Sequence, residues 1–596
     1  MRVAQHALRR SQKSRTVSIT APVSGWNARD PLAEMQPTDA VILDNFFCTP
    51  FDVVLRSGCS SYATGISGTV NTLTSYSPPA SSARRLFAFA GANVYDISAS
   101  GAVGTPAVAG ISSDKCQVVN FGTAGGNFLV AVNGLDLPLV FNGTVWTNAF
   151  SSAFNTAVTS ITSSGTTATV TMANPHNLKT GMSVTVAGFT PAGYNGTYVV
   201  TITGASTFTY TLTSALGVTT VTGTIAPTLN LTITGVDPTL FANVTAFKAR
   251  LWFIEKNSLR AWYMPTLSIG GAAQVFDFSS IFTSGGYLVA MGDWSLDAGQ
   301  GMDDYAVFVT SEGQVAVYKG TDPANASTWG LVGVYSVGSP IGRRCFTKYA
   351  GDLTLIGQDG LSPLSKSLMS SRVNTHEALT DKIQHVVSDY VSNYGDNFGW
   401  ETVIYPKENM LLVNVPASTT LSYQLVMNTI TGAWSRYTGW NAACFELHKD
   451  TLYFGTAGGV CRAWDTTSDG GNNINFEALQ SFNYMGRNTQ QKQVQMVRPL
   501  LSTNGTPSFL LGVNVDFDKS LPAGVPTFSS PSLTSGVWGN GTWSISTWAG
   551  ATALKKDWQT CYALGYCMAT HLMGSGLNIT LRWAATDYVI TDGGIL

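Results

Sequence analysis

The side chains best spaced for metal chemistry lie in the segment DTTSDGGNNINFE. Asp465, Asp469 and Gly470 match the opening of a calcium-binding loop. Phe476 stands where the bidentate glutamate is needed, and Glu477 comes one residue late. We therefore interpret the segment as a turn between strands and predict no metal site here.

Other combinations of reactive residues are incomplete. The glycine-rich GTAGGN at Gly122 lacks the lysine and helix of a phosphate loop. The six histidines include no HxH or HExxH, and the eight cysteines include no CxxC, so the cysteines read as buried, reduced side chains. The pair Asp303 and Asp304 begins a predicted strand. We expect no enzymatic activity and no cofactor.

Three tryptophans in WGNGTWSISTW, Trp538, Trp543 and Trp548, are the best candidates for a sugar-binding surface. Alternating aromatic residues in a β-rich tail more often pack in a core or at a subunit contact. We favour that interpretation and keep carbohydrate binding as the alternative.

Composition excludes several classes of partner. Only 11% of residues are charged and the net charge is −2, so no basic field is available for tight nucleic-acid binding. No segment has the length and apolarity of a membrane helix. The basic start, with Arg9, Arg10 and Arg15, lacks the apolar core of a signal peptide, and we expect it to be disordered before assembly.

Seven apolar, aromatic-bearing hairpins recur along the chain, each reading strand, tight turn, strand. Successive starts differ by 42, 123, 54, 48, 59 and 39 residues. All gaps but one lie near the period of four-stranded β-propeller blades, about 40 to 50 residues. The hairpins begin at Arg85, Asn127, Arg250, Asp304, Asp352, Leu411 and Asp450.

The long gap contains a threonine-rich insertion. Residues 155–228 include 22 threonines among 74 residues, in alternating β-branched runs such as TATVTM and STFTYTLT. Without the 77 residues 152–228, the gap falls to 46 and the period is restored. We predict that this insertion is a small β-barrel-like module between two blades and not a disordered linker. Within it, we expect His176 to be a turn residue.

Two segments have helical features. THEALTDKIQHVVSDYVSNY has an apolar face at helical spacing, with Asn374 and Glu377 as a capping box. The apolar face of this helix packs either on the flank of the propeller or against a neighbouring subunit, and we favour the second alternative. QPTDAVILDNFF, residues 36–47, has Pro37 and Asp39 placed as at a helix start.

The segment from Thr20 to Gly65 resembles the N-terminal signature of the tail nozzle proteins of short-tailed bacteriophages, also called tail tubular protein B. The matching features are Gly25-Trp26-Asn27, the Arg29-Asp30 pair, Pro-x-Asp-Ala, Asp44-Asn45-Phe46 and Arg56-x-Gly58, in that order. Further similar segments start at Tyr318, Gln424 and Leu452. The resemblance covers most of the chain outside the insertion and parts of the last hundred residues.

This resemblance implies a mainly β fold, in which a β-propeller projects from a platform built from both chain ends. The expected domains are an arm and platform segment (1–70), the first part of the propeller (71–151), the insertion (152–228), the second part with one helix (229–470) and a C-terminal platform domain (471–596). It also implies a candidate assembly interface at Trp26, Arg29, Asp30, Phe46, Phe47 and Arg56.

The implied function is structural. A hexamer of the chain is expected to form a nozzle ring. An adaptor binds above this ring, and fibres or a tip bind below it. Phage DNA passes through it without tight binding, in a virion tail assembled in the host cytoplasm. The alternative is a propeller-based carbohydrate-binding or depolymerising tail protein. A secreted adhesin is disfavoured because we identify no export signal.

Overall fold

The computed structural model describes residues 14–216, 222–297, 302–367, 378–505, 507–522, 535–536, 547–548 and 553–593. Small antiparallel sheets follow one another through most of the chain, and the first strand of each contacts the first strand or the core of the next. These sheets, called blades 1 to 7, form the closed ring of a β-propeller.

The blades follow the chain in order. Blade 1 contains Cys59–Tyr76, Arg85–Ala90, Asn93–Asp96 and Val108–Ala109; blade 2 Gln117–Thr123, Gly126–Val132, Leu139–Phe141 and Trp146–Phe150; blade 3 Phe241–Phe247, Arg250–Glu255, Arg260–Tyr263 and Gln274–Asp277; blade 4 Leu288–Asp297, Met302–Thr310, Gln314–Gly320 and Trp329–Ser336; blade 5 Phe346–Tyr349, Asp352–Gly357 and Gly360–Pro363; blade 6 Glu401–Tyr405, Met410–Pro416, Ser422–Asn428 and Trp434–Tyr437; blade 7 Cys444–His448 and Thr451–Ala463.

One strand closes the ring. The first part of Cys59–Tyr76 pairs with Thr451–Ala463 of blade 7, and the second part pairs with Arg85–Ala90 of blade 1. The short strand Gly101–Ala102 joins it in parallel. The boundary expected at residue 70 therefore falls inside a strand that belongs to two blades.

Six of the predicted hairpins are confirmed, since each alternating run forms two paired strands. The seventh, from Asp450, is wrong. Thr451–Ala463 is one strand with irregular register at Ala457/Gly459, because the ring-closing strand pairs with it on both sides of that point. Gly458, at φ +80°, accommodates the irregularity.

The insertion folds as a β module. Val158–Ser164, Thr167–Met172, Thr207–Thr211 and Thr201–Gly204 form one sheet, and Gly196–Val199, Ser183–Ala187 and Thr224–Pro227 form another. Val170, Val184 and Phe208 are buried in a core that continues into blades 1 and 2. Lys179 ties the module down, because its Nζ lies 2.9 Å from Asp136 Oδ1 of blade 2. Leu231–Thr234 and Gly271–Ala272 then join the module's exit to blade 3.

Both chain ends build the platform beside the propeller. Its strands are Ser14–Thr20, Gly25–Trp26, Asp39–Asp44, Phe46–Cys48, Val53–Leu55, Ile474–Gln480, Lys492–Thr503, Ser508–Val515, Ala553–Lys555, Gln559–Gly565, Met568–Gly576 and Leu581–Asp592. One platform sheet is continuous with blade 6, since Asp39–Asp44 lies between Trp434–Tyr437 and Ile474–Gln480.

The helix expected over residues 36–47 is wrong. The segment forms the strands Asp39–Asp44 and Phe46–Cys48, separated at Asn45, which has φ +60°. Its apolar run is buried on both faces between neighbouring strands, where extended backbone is favoured over a short isolated helix.

The second predicted helix is present as the 3₁₀ turn Asp381–Ile383 followed by the α-helix Gln384–Tyr394. Asn374 and Glu377 lie outside the described residues. The expectation that its apolar face meets another subunit is wrong, because Ile383 and Val387 are buried in the core of the same chain. The other described helical segments are Leu364–Ser367, Ser81–Ala83, Ala192–Tyr194, Pro238–Leu240 and Pro406–Glu408.

Arg15 is ordered, contrary to expectation. It lies in Ser14–Thr20, which pairs with Leu581–Asp592, and its Nε lies 3.2 Å from Asp592 Oδ2. Arg9 and Arg10 fall outside the described residues. None of the helices in the described ranges is long and apolar enough to span a membrane.

Candidate functional site

A buried arginine joins the N-terminal segment to the propeller. Arg56 has no exposed side-chain surface and forms a bidentate pair with Asp469, at 2.8 and 2.6 Å. It also donates to Asn45 Oδ1 at 2.8 Å and to the Thr438 carbonyl at 2.8 Å. Its guanidinium stacks over Trp440, 4.9 Å from the ring centroid. Every donor direction of this cation is therefore used within the chain.

The same contact explains the calcium-like segment. Both carboxylate oxygens of Asp469 accept from Arg56, and Gly58 N donates to the Thr466 carbonyl at 2.7 Å. A Cβ at Gly58 would lie 2.0 Å from the Ser468 carbonyl oxygen, so only glycine fits this crossing. Among the described residues, no group of three or more His, Cys, Asp or Glu is arranged to hold a metal ion. The segment serves as a structural clasp.

The other residues of the candidate interface lie nearby. Trp26, Phe46 and Phe47 are at most 8% exposed, and Trp26 Nε1 donates to the Val41 carbonyl at 3.0 Å. Arg29 and Asp30 form an ion pair at 2.7 Å and keep about a third of their side-chain surface exposed. A role of these six residues in subunit contact stays a prediction. Within one chain, the side chains of Trp26, Phe46, Phe47 and Arg56 are buried, whereas Arg29 and Asp30 keep exposed surface.

Arg29 also connects the platform to the helix. Its guanidinium pairs with Asp381, and the hydrogen bonds that it donates to the Asp30 and Asp381 carboxylates raise its pKa. The paired guanidinium lowers the pKa of Asp30. Next to this pair, Lys382 Nζ lies 3.1 Å from the buried Asp39 carboxylate. The N-terminal segment, the helix and the platform are therefore held together by ion pairs.

A second arginine crosses the centre of the propeller. Arg344 precedes blade 5, and its guanidinium donates to Glu401 Oε2 of blade 6 at 2.9 Å. The other terminal nitrogen donates to Thr72 Oγ1 of blade 1 at 2.8 Å and to the Cys116 carbonyl beside blade 2 at 3.2 Å. Phe398 covers the guanidinium at 5.0 Å. The guanidinium therefore bridges blade 6 to blades 1 and 2 at the propeller axis.

Arg344 forms an axial cluster with the buried Glu401 and the partly buried Glu446. Glu401 accepts from Phe445 N of blade 7, and Glu446 Oε1 accepts from Ser75 N of blade 1 at 2.9 Å. Burial raises the pKa of both carboxyl groups, to about 8 for Glu446. His448, beside them, accepts or donates at Nδ1 with Ser75 Oγ, and burial lowers its pKa to about 4. The cluster therefore holds a charged ion pair next to groups that favour the neutral form.

This cluster makes stability depend on pH. Glu446 has an ordinary pKa of 4.5 and a folded pKa of about 8, so the folded state binds more protons and loses stability as pH rises through this range. His448 opposes this only below its ordinary pKa of 6.5. The melting temperature should therefore fall between pH 6.5 and about 8.

The matched variant is Glu446→Gln, which removes the titration and keeps the shape. We expect this variant to lose less stability than the wild type between pH 6.5 and about 8. The difference in the free energy of unfolding over this pH interval should be roughly 1 kcal/mol, after allowance for the partial exposure of Glu446. Thermal denaturation of both proteins across the interval is the measurement. An equal slope in the variant would show that other groups control it.

Four fully buried thiols are poorly suited to nucleophilic chemistry. Burial raises the pKa of the Cys48 and Cys345 thiols to about 12, and it also raises the pKa of the Cys116 and Cys444 thiols. His176 is buried and accepts from Leu178 N at 3.0 Å, as befits a turn residue. Trp538 and Trp543 lie outside the described residues, and Trp548 belongs to a short strand, Thr547–Trp548, paired with Ser535–Gly536.

Sequence reasoning missed Arg344, Glu401 and Glu446, whose separation along the chain gives no motif. The only available signal was the adjacent pair in SPIGRRC, Arg343-Arg344, in a chain with few charged residues. The first strand of each blade lies nearest to the propeller axis. Charged residues next to these strands are therefore candidates for positions at the axis.

No family model matches this chain, and no curated protein matches it. Solved structures with a similar arrangement include BBS1N in complex with ARL6DN (9% identity, 70% of this chain and 99% of that chain, TM-score 0.34). Others are YCF48 bound to D1 peptide (10%, 71% and 98%, 0.24) and the β-propeller domain of Cps50 (Swd1) from Myceliophteria thermophila (8%, 68% and 98%, 0.26). The chain is a mainly β protein with a β-propeller architecture, and at such identities the likeness concerns the fold alone.

Proposed function

We propose that this chain is a structural subunit of the tail nozzle ring of a short-tailed bacteriophage. The observation that best supports the proposal is the platform, where both chain ends meet in two sheets, one of which is continuous with blade 6. This is the layout implied by the resemblance of residues 20–65 to the tail nozzle family. The fold alone does not indicate this function, since propellers serve many functions.

The proposal places the DNA passage between copies of the chain. Arg344 bridges several blades at the axis of each propeller, and for this reason we place the passage for duplex DNA between several subunits around a common centre. The net charge of −2 suits a wall along which DNA moves without tight binding. An adaptor above and fibres or a tip below are the further proposed partners, in a virion tail assembled in the host cytoplasm.

An exposed apolar edge supports assembly from copies. Leu331, Val332 and Val334 lie on the outer strand of blade 4, with 47%, 51% and 38% of their surfaces exposed. An apolar strand at a sheet edge favours pairing with another chain unless a partner covers it. We assign this edge to contacts within the ring.

Native mass spectrometry tests the proposal. We expect a species of about six chains, as closed cyclic symmetry would give. Val332→Lys should weaken the ring, whereas Thr419→Lys, in an exposed turn of blade 6, should leave it intact. A monomer or trimer that releases sugar from host polysaccharide would instead support a carbohydrate-depolymerising tail protein.

A further inference from the structure

A polar cavity lies between blades 4 and 5 and the end of the helix Gln384–Tyr394. Its volume is about 750 Å³, within the range of small-molecule sites. Neither the platform nor the axial cluster contributes to it. Its lining includes Tyr287, Ser339, Arg343, Gln358, Ser392 and Asn393.

Arg343 is a partly buried cation in the wall of this cavity. Among the described residues its guanidinium has no ion pair and no hydrogen-bond partner, whereas the adjacent Arg344 has four acceptors. Burial lowers the pKa of Arg343, which shows that the surroundings disfavour its charge. A partly buried guanidinium without an ion pair therefore favours the binding of an anion.

The backbone fixes Arg343 at the cavity wall. Asn243 Nδ2 donates to the Arg343 carbonyl at 3.3 Å, and Ile341 N donates to the Ile356 carbonyl at 3.1 Å. Arg344, the next residue, is anchored at the propeller axis. The guanidinium of Arg343 is therefore presented to the cavity by a held segment, which lowers the entropic cost of binding an anion.

The rest of the lining suits a saccharide. The side chains of Ser339, Gln358, Ser392 and Asn393 make no hydrogen bond within the described part of the chain, and so remain available for hydroxyl groups. Tyr287, with 39% of its surface exposed, offers an aromatic face. We propose that this cavity binds a saccharide residue bearing a carboxylate or phosphate, with Arg343 holding the anionic group in a bidentate contact.

The exposed Asp396 also lines the cavity, and its negative charge weakens the binding of simple anions there. A carboxylate accepts hydrogen bonds from sugar hydroxyls and disfavours ligands that are only anions. The inference goes beyond a role in the nozzle ring and does not depend on it, because the cavity is complete within one chain.

Calorimetric titration of the whole chain tests the inference. The probes are glucuronate, galacturonate, N-acetylneuraminate and glucose 6-phosphate, with glucose and inorganic phosphate as controls. We expect at least one acidic sugar to bind more tightly than both controls. Arg343→Met should weaken its binding at least tenfold, about 1.4 kcal/mol, and Tyr287→Ala should also weaken it. Arg487→Met, at an exposed arginine outside the cavity, should leave binding unchanged.

A second readout separates binding from folding. Arg343→Met should raise the melting temperature of the free chain, because it removes an unpaired and partly buried charge. The inference is overturned if no acidic sugar binds, if phosphate alone binds as well as the sugars, or if Arg343→Met binds like the wild type. It is also overturned if that variant is destabilised or fails to form the ring, since the guanidinium would then pair within the fold or with a second copy.

Discussion

Replacing Arg56 with Met is expected to lower the free energy of unfolding by about 3–5 kcal/mol, the cost of leaving one partner of a buried pair without its counter-charge. Asp469 would keep its charge beside Trp440 and lose both hydrogen bonds from the guanidinium. The amide oxygen of Asn45 and the Thr438 carbonyl would lose donors as well. The effect combines lost packing with unsatisfied polar groups.

Urea denaturation measured by tryptophan fluorescence checks this result. The double variant Arg56→Met, Asp469→Asn should recover part of the loss, because the second change removes the unpaired charge. Arg487→Met is the matched control and should change stability by less than about 0.5 kcal/mol, as surface substitutions do. A loss below about 1 kcal/mol for Arg56→Met would show that the clasp contributes little.

Replacing Arg344 with Met is expected to have a comparable effect, again about 3–5 kcal/mol. Glu401 is 6% exposed, and its ion pair with Arg344 at 2.9 Å stabilises the charged carboxylate against burial. Without the guanidinium, the pKa of Glu401 should rise further, since desolvation already raises it. Thr72 Oγ1 and the Cys116 carbonyl also lose a donor.

The pH dependence identifies the cause. If an unpaired Glu401 carboxylate accounts for the loss, Arg344→Met should recover stability as pH falls, because protonation neutralises the group. The double variant Arg344→Met, Glu401→Gln should recover the same stability already at neutral pH, because glutamine carries no charge. Thermal denaturation of the single and double variants at neutral and acidic pH measures this. A deficit that is independent of pH would assign the loss to packing alone.

Local pattern predicted most of the propeller. Alternation and tight turns specify a hairpin wherever one face is buried, so Arg250–Glu255 and Met410–Pro416 lie in the predicted strands. The threonine alternation likewise predicted the strands of the insertion. These features depend on neighbours a few residues away.

Features set by distant partners were not predictable in this way. Asp39–Asp44 is a strand because Ile474–Gln480 and Trp434–Tyr437 pair with it, which overrides a helix-like start at Pro37. The irregular strand after Asp450 depends on pairing with Cys59–Tyr76.

The candidate sites show the same division. The resemblance of the N-terminal segment identifies Arg56 as a candidate, but the sequence around its partner Asp469 predicts only an ordinary turn. Arg344 and Glu401 are 57 residues apart and meet only because inner strands converge on the axis. Isolated charges carry no periodicity from which such a meeting could be inferred.

Electron microscopy of the assembled particle tests the central claim most directly, by locating the passage relative to the propellers. We predict about six copies of the 63.2 kDa chain around a shared opening. The axis of every propeller should show density for the axial cluster and no open channel. Isolated single chains, or an open channel along the axis of each propeller with no opening between copies, would contradict the account.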